Sequence, residues 1–123
     1  MSPVLILEDY PPLRRALALT LQGAGFHVVQ ARSAYEALGV LHEHACALLL
    51  VDMEIAERES WNVLQALAAT HQSLPIVALL YPDSEDQKEL AAFGVRVILP
   101  KPVGRETLLS GIRLALRDSG KAL

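Results

Sequence analysis

The chain has a single cysteine, Cys46, and aromatic residues make up only 5% of its 123 residues. One cysteine excludes an internal disulfide and a zinc site built on clustered thiolates. Cys46 lies in an apolar run, where a lone thiol is most often a small buried hydrophobic side chain. We therefore expect Cys46 to pack in the core and to take no part in chemistry.

The chain also lacks the segments that would direct it to a membrane or to nucleic acid. No apolar run approaches the ~20 residues of a membrane-spanning helix, and residues 1–3 show neither a basic segment nor a cleavage site. The formal charge is −3, whereas a surface that neutralises phosphates needs clustered cations. We expect a cytoplasmic protein without a membrane span and without direct nucleic-acid binding.

The length and the 52% hydrophobic content are enough for one domain, residues 1–123, with a core of its own. Five short apolar runs are spaced along the chain. Runs that are apolar on both faces are typical of buried parallel strands. These runs are residues 3–7, 26–29, 46–51, 76–80 and 95–99.

Segments with helical period separate these runs. The first begins at Pro11 and Pro12 and ends at Gly25, and Ser33 with Glu36 forms a capping box that opens the second. The third carries an apolar face from Trp61 to His71, Ser84 with Gln87 caps the fourth, and residues 108–116 form the apolar face of the last. Strict alternation of strands and helices predicts a three-layer, doubly wound α/β fold around a parallel sheet.

Charged residues follow three of the predicted strands: Glu8 and Asp9 the first, Asp52 the third and Lys101 the fifth. The carboxyl ends of parallel strands meet at one edge, where ligands bind in open α/β sheets. Carboxylates gathered there raise at least one pKa unless a cation lies among them. All-oxygen ligation with open positions for water suits Mg²⁺. We predict a magnesium site in which Asp9 binds the metal directly and Glu8 binds it through water.

An aspartate beside Mg²⁺ and a lysine is equipped to attack a phosphoryl group, because both cations offset charge on the transferring oxygens. Asp52 is therefore the candidate phosphoacceptor and also a metal ligand. Lys101 is the candidate catalytic residue, a point charge near the resulting acyl phosphate.

Three stretches resemble the signatures of response regulator receiver domains: Leu5-Ile6-Leu7-Glu8-Asp9, Leu48-Leu49-Leu50-Val51-Asp52 and Lys101-Pro102. The resemblance covers nearly the whole chain, including the spacing between signatures. It implies a flavodoxin-like (βα)5 fold with sheet order 2-1-3-4-5. It also implies that the backbone carbonyl of Glu54 completes the metal ligands and that the Lys101–Pro102 peptide is cis.

The same resemblance implies a role in two-component signalling. A histidine kinase or phosphotransfer protein would donate to Asp52, and output would pass to a downstream protein by contact. The chain would be no enzyme beyond self-catalysed phosphoryl transfer and autodephosphorylation. By family analogy the fourth and last helices could form a homodimer surface.

Three positions depart from the family pattern. Leu80 stands where a Thr or Ser hydroxyl is expected, Tyr81 where a small residue leaves the site open, and Ile98 where an aromatic ring is expected. Leucine cannot hydrogen-bond a phosphoryl oxygen, and isoleucine has no polar tip to bury or expose. Ser60 also replaces a glycine in the loop after the third strand. The usual relay from Thr to the aromatic residue is therefore absent from this sequence.

Two other interpretations remain open at this stage. One is a pseudo-receiver, a protein-binding module that keeps the fold and the acidic pocket without a phosphorylation cycle. The other is a flavodoxin-like enzyme or cofactor carrier, which should have a phosphate-binding loop after the first strand. That loop, residues 8–12, is acidic and glycine-free, so it is poorly suited to a nucleotide phosphate.

Overall fold

The computed structural model describes residues 2–70 and 73–118. Strands and helices alternate along the described residues, and one short 3-10 helix, Ala56–Arg58, precedes the third α-helix. None of the helices in these two ranges is long and apolar enough to cross a bilayer. The elements are β1 (Val4–Leu7), α1 (Pro11–Gly23), β2 (Val28–Ala31), α2 (Ala34–Glu43), β3 (Leu48–Asp52), α3 (Glu59–Thr70), β4 (Ile76–Leu80), α4 (Gln87–Ala92), β5 (Val97–Pro100) and α5 (Arg105–Asp118).

The strands form one parallel sheet in the order β2-β1-β3-β4-β5, which confirms the predicted fold and strand order. Every residue of β1, β3 and β4 is buried, as expected for strands covered on both faces. Pro100, which has no N–H to donate to a neighbouring strand, lies on the edge strand β5. The Lys101–Pro102 peptide is cis, as the resemblance implied.

Alternate residues of the central strands belong to two separate cores. Leu5 and Leu49 pack in a cluster with residues of α2, α3 and α4, whereas Ile6 and Leu50 pack in a cluster with residues of α1 and α5. This division follows from the two-residue period of side chains along a strand. Cys46 is buried in the first of these clusters, so the prediction that it packs in the core is confirmed.

The boundaries of several elements differ from the sequence prediction. Strands β2, β3 and β5 begin two residues late, because Phe26, Cys46 and Val95 pack on the core from the preceding loops. The predicted cap of α4 is wrong: the helix begins at Gln87, and the Ser84 hydroxyl accepts a hydrogen bond from the Asp86 N–H at 3.2 Å. His71, predicted on α3, lies outside the described residues.

The capping box of α2 is confirmed, because the Ser33 hydroxyl accepts a hydrogen bond from the Glu36 N–H at 3.1 Å. The Glu36 side chain reaches back and accepts from the Arg32 N–H at 2.9 Å. At the end of α1, Gly25 takes a φ of +96°, a conformation that favours glycine. The predicted stop of α1 therefore coincides with the turn into β2.

Two helical glycines differ in the space available for a methyl group. A Cβ on Gly111 in α5 would lie 2.8 and 2.9 Å from the methyl carbons of Leu99, whereas a Cβ on Gly39 in α2 meets no atom within 4 Å. Alanine in a helix is favoured over glycine by ~1 kcal/mol, so we expect Gly39→Ala to raise the free energy of unfolding by about that amount. Gly111→Ala gains the same helix propensity, but the close contact with Leu99 adds an overpacking cost of ~1–3 kcal/mol.

We therefore expect Gly111→Ala to be less stable than Gly39→Ala and no more stable than the wild type. Urea unfolding of the three proteins, followed by circular dichroism, measures the difference. Equal stabilisation by both substitutions would show that Leu99 accommodates the methyl group without cost.

Candidate functional site

Asp52, the last residue of β3, forms an ion pair with Lys101, which follows β5. The lysine Nζ donates to Asp52 Oδ2 at 2.8 Å and to Oδ1 at 3.0 Å. The Asp52 side chain is 4% exposed and that of Lys101 12%, so the pair is largely withdrawn from water. Parallel strands bring their carboxyl ends to one edge, and this explains why residues 49 positions apart meet here.

The surroundings of Asp52 favour its ionised form. Burial raises the pKa of this carboxyl, but hydrogen bonds with Glu8, Lys101 and the Glu54 N–H outweigh burial and hold the pKa below its ordinary value. The Glu54 N–H donates to Asp52 Oδ1 at 2.8 Å. For Lys101, burial lowers the pKa, and the hydrogen bond and charge of Asp52 more than compensate, so its pKa is raised. Both partners of the pair are charged at neutral pH.

Glu8, directly after β1, is 1% exposed and contacts Asp52. Burial, the hydrogen bond to Asp52 and the negative charge of Asp52 raise the pKa of Glu8 to about 8. Glu8 Oε2 accepts from the Tyr10 N–H at 3.2 Å, while Oε1 is buried without a hydrogen-bond partner in the part of the chain that the structure describes. At neutral pH the Glu8 carboxyl is thus mostly protonated, and the group of Glu8, Asp52 and Lys101 is close to neutral.

The other two predicted metal ligands lie further out. Asp9 is exposed, and its Oδ2 accepts from the Ala56 N–H at 3.3 Å. The Glu54 side chain is also exposed. Among the described residues, no three His, Cys, Asp or Glu side chains are gathered as a metal-binding group. The structure therefore brings together Glu8, Asp52 and Lys101, and it leaves the Asp9 side chain turned towards the loop after β3.

The donor set nevertheless fits a hard cation. Asp9 and Asp52 supply carboxylate oxygens at the same edge, and a water or cation beside Glu8 would satisfy the buried Oε1 atom. The predicted magnesium ligands are two or three carboxylates and one backbone carbonyl. Water would fill the other positions, so the site needs fewer protein side chains than one in which every ligand comes from the protein. Magnesium binding at these residues stays a prediction.

The three atypical positions have different environments. Leu80, the last residue of β4, is 1% exposed and packs in the core with α2 and α3, and Ile98 packs partly buried against the same cluster. Tyr81 is 48% exposed, and its ring centroid lies 4.8 Å from Lys101 Nζ. The apolar pair thus belongs to the core, whereas Tyr81 lies over the ion pair.

Two hydrogen bonds of the loop after β3 were not predicted from the sequence. The Ser60 hydroxyl is buried and donates to the carbonyl oxygen of Asp52 at 2.5 Å. Glu59 Oε1 accepts from the Ala34 N–H at the start of α2, at 2.9 Å. The sequence showed Ser60 only as a replacement of glycine. The available signal was a serine near the predicted start of the third helix, a few residues after the acidic end of the third strand.

The same loop contains two consecutive residues in the left-handed region, Glu57 with φ 59° and Arg58 with φ 55°. This conformation is unfavourable for residues other than glycine. The Arg58 guanidinium carbon lies 5.1 Å from the centroid of the buried Trp61 ring, a cation–π contact. Trp61 also packs edge-on against Phe93, with ring centroids 6.0 Å apart. Trp61 is therefore a core residue beneath this loop.

Glu8 makes the stability of the metal-free protein depend on pH. Its ordinary pKa is 4.5 and its folded value is about 8, so the folded state binds more protons than the unfolded state between these values. The free energy of unfolding should fall as the pH rises from about 4.5 to about 8. Asp52 acts oppositely in acid: its contribution, present above its ordinary pKa of 3.8, is lost as the pH falls through its lowered folded value.

Urea unfolding between pH 5 and 8.5 in a chelator would measure this slope. We expect Glu8→Gln to remove most of it, because glutamine does not titrate, whereas Glu106→Gln, on a side chain that is 88% exposed, should keep it. An unchanged slope in Glu8→Gln would contradict the assignment of this carboxyl.

The sequence of the chain matches a known protein family and several curated proteins. Residues 4–113 match the response regulator receiver domain family. The transcriptional regulatory protein CpxR of Escherichia coli is 32% identical over 120 residues, which are 97% of this chain and 51% of CpxR. KdpE of Mycobacterium tuberculosis, also a transcriptional regulatory protein, is 28% identical over 122 residues, 99% of this chain and 54% of KdpE. The chain thus spans about half the length of these curated relatives.

Solved structures agree with the fold. A CheY-like receiver domain protein from Methanospirillum hungatei superposes with a TM-score of 0.89 at 20% identity, covering 98% of both chains. The chemotaxis response regulator CheY4 of Vibrio cholerae gives a TM-score of 0.84 at 28% identity, covering 94% of this chain and 98% of CheY4. The chain belongs to the response regulator receiver domain family of two-component signalling.

Proposed function

We propose that this receiver domain accepts a phosphoryl group on Asp52 from a histidine kinase or phosphotransfer protein, with Mg²⁺, in the cytoplasm. The observation that carries the proposal is the buried ion pair of Asp52 and Lys101 at the carboxyl edge of the sheet. An ionised carboxylate held by a lysine in a site of low dielectric is a nucleophile with a built-in partner for phosphoryl charge.

The transfer would use the groups already in place. One Asp52 oxygen bonds to phosphorus while the bond from phosphorus to the donor breaks, and the leaving group departs with the electron pair. Lys101, which contacts both Asp52 oxygens, would then hold one phosphoryl oxygen and one carboxyl oxygen. When bound by Asp9, Asp52 and the Glu54 carbonyl, Mg²⁺ supplies further positive charge for the phosphoryl oxygens.

Beyond this transfer, the domain would catalyse only the hydrolysis of its own aspartyl phosphate, in which the phosphoryl group passes to water and the Asp52 carboxylate is regenerated. Output would pass to a downstream protein by contact, because a formal charge of −3 does not favour a nucleic-acid surface on this domain. Helices α4 and α5 remain the candidate surface for a homodimer.

A second candidate function is a pseudo-receiver that binds proteins without a phosphorylation cycle. It is favoured by Leu80 and Ile98, which pack in or against the core and offer no polar group to follow a phosphoryl oxygen. The two candidates differ in whether the pocket takes up a phosphoryl group and whether the surrounding loop responds. Each difference can be measured separately.

Incubation with acetyl phosphate and magnesium should add one phosphoryl mass to the wild-type protein in intact-mass spectrometry. Asp52→Asn should abolish the adduct because it removes the nucleophile, whereas Asp83→Asn, at an exposed acid in the loop after β4, should retain it. Omitting magnesium should lower the yield at least several-fold. Absence of any adduct at saturating donor would contradict the proposed function.

Trp61 fluorescence should report a response of the pocket to beryllofluoride, an analogue of the phosphoryl group. Trp61 lies next to Ser60, whose hydroxyl holds the Asp52 carbonyl, and under the Arg58 guanidinium. We expect an intensity change with magnesium and beryllofluoride that is lost in Asp52→Asn. Constant fluorescence in a protein that does form the adduct would favour a pocket without conformational output.

A further inference from the structure

We propose that Tyr81 is a positioning residue for phosphoryl transfer: its ring holds the Lys101 ammonium against Asp52 and restricts the approach of donors to the pair. The inference rests on the proposed function, because it concerns the same site. It is carried by the geometry of Tyr81, Lys101 and Asp52.

The order of the strands places Tyr81 above the ion pair. Strand β4 lies between β3, which ends at Asp52, and β5, which precedes Lys101. In the registers of the sheet, Asp52 is opposite Leu79 and Leu80 is opposite Pro100. The residue that follows β4 therefore emerges between the strand ends that carry the two partners.

The Lys101 ammonium is held from two sides. Asp52 oxygens lie at 2.8 and 3.0 Å, and the centroid of the Tyr81 ring lies at 4.8 Å, within the range of a cation–π contact. The ring is 48% exposed, whereas the Lys101 side chain is 12% exposed. Tyr81 thus covers the ammonium and replaces part of its hydration.

Tyr81 and Lys101 also line a cavity of about 200 Å³ whose other walls are apolar. A donor that approached the Lys101 ammonium through this cavity would contact the Tyr81 ring and these apolar side chains. A bulky leaving group is therefore hindered more than a small one. The other lining residues are Leu13, Leu79, Pro102 and Val103.

Three variants of Tyr81 and one control variant separate the effect of its ring face from the effects of its bulk and its hydroxyl. Tyr81→Phe keeps the ring, Tyr81→Leu keeps much of the bulk without a π face, and Tyr81→Ala removes both. Tyr35→Ala is the matched control, because Tyr35 on α2 is 88% exposed. A cation–π contact of the usual strength corresponds to a change of about 2-fold to 30-fold in the fraction of Lys101 side chains that leave Asp52 and become accessible.

The first measurement does not depend on phosphorylation. Limited acetylation with an N-hydroxysuccinimide ester, read by peptide mass spectrometry, gives the labelling of Lys101 relative to the exposed Lys88. We expect this ratio to rise about 2-fold to 30-fold in Tyr81→Leu and Tyr81→Ala and to stay at the wild-type value in Tyr81→Phe and Tyr35→Ala. The role of the ring face would be overturned if Lys101 were labelled no more in Tyr81→Leu than in the wild type, or if its labelling rose in Tyr81→Phe.

The second measurement is the ratio of phosphorylation rates with acetyl phosphate and with the smaller donor phosphoramidate. In both reactions an Asp52 oxygen bonds to phosphorus, and acetate or ammonia leaves with the electron pair of the broken bond. We expect Tyr81→Ala to raise the rate with acetyl phosphate more than the rate with phosphoramidate, and Tyr81→Phe to keep the wild-type ratio. A loss of folded protein would lower both rates equally and leave the ratio unchanged.

The two measurements distinguish failure of the inference from failure of the proposed function. A wild-type protein that takes no phosphoryl group from either donor refutes the proposed function, and the labelling of Lys101 still decides whether Tyr81 positions the lysine. A wild-type protein that is phosphorylated, with an unchanged donor ratio in Tyr81→Ala, refutes the inference and leaves the proposed function standing.

Discussion

The buried ion pair of Asp52 and Lys101 is the interaction on which the site depends. Two charges withdrawn from water are costly unless each is fully paired, and here both Asp52 oxygens contact the lysine. The raised pKa of Glu8 belongs to the same constraint, because burial and then the hydrogen bond and negative charge of Asp52 disfavour a second carboxylate there. The group of Glu8, Asp52 and Lys101 is thus close to neutral without a metal, and loss of the Glu8 proton would add negative charge beside Asp52.

The fold and the central pair of this site could be predicted from the sequence because they depend on local signals. Apolar runs of strand length mark β1, β3 and β5, and the charged residues that follow these parallel strands must lie at one edge of the sheet. Asp52 and Lys101 were found in this way. The strand order was obtained from the resemblance to receiver domains and is confirmed by the pairing of the strands.

The remaining features depend on contacts between distant segments, so local pattern could not give them. The loop after β3 is fixed by the hydrogen bonds of the Ala34 N–H to Glu59, 25 residues away, and of the Ala56 N–H to Asp9, 47 residues away. These contacts hold Glu57 and Arg58 in a backbone conformation that their own side chains disfavour. The contact of Tyr81 with Lys101 likewise arises only when β4 is placed between β3 and β5.

The loss of polar side chains at Leu80 and Ile98 changes how the pocket is connected to the rest of the domain. These residues touch the core through apolar packing, which has no directional bond to a phosphoryl oxygen. The loop after β3, in contrast, is hydrogen-bonded to Asp52 itself, through Ser60 to its carbonyl and through the Glu54 N–H to its side chain. A change of charge at Asp52 would therefore act first on a strained loop over Trp61, and only a loop with two stable arrangements could pass that change onward.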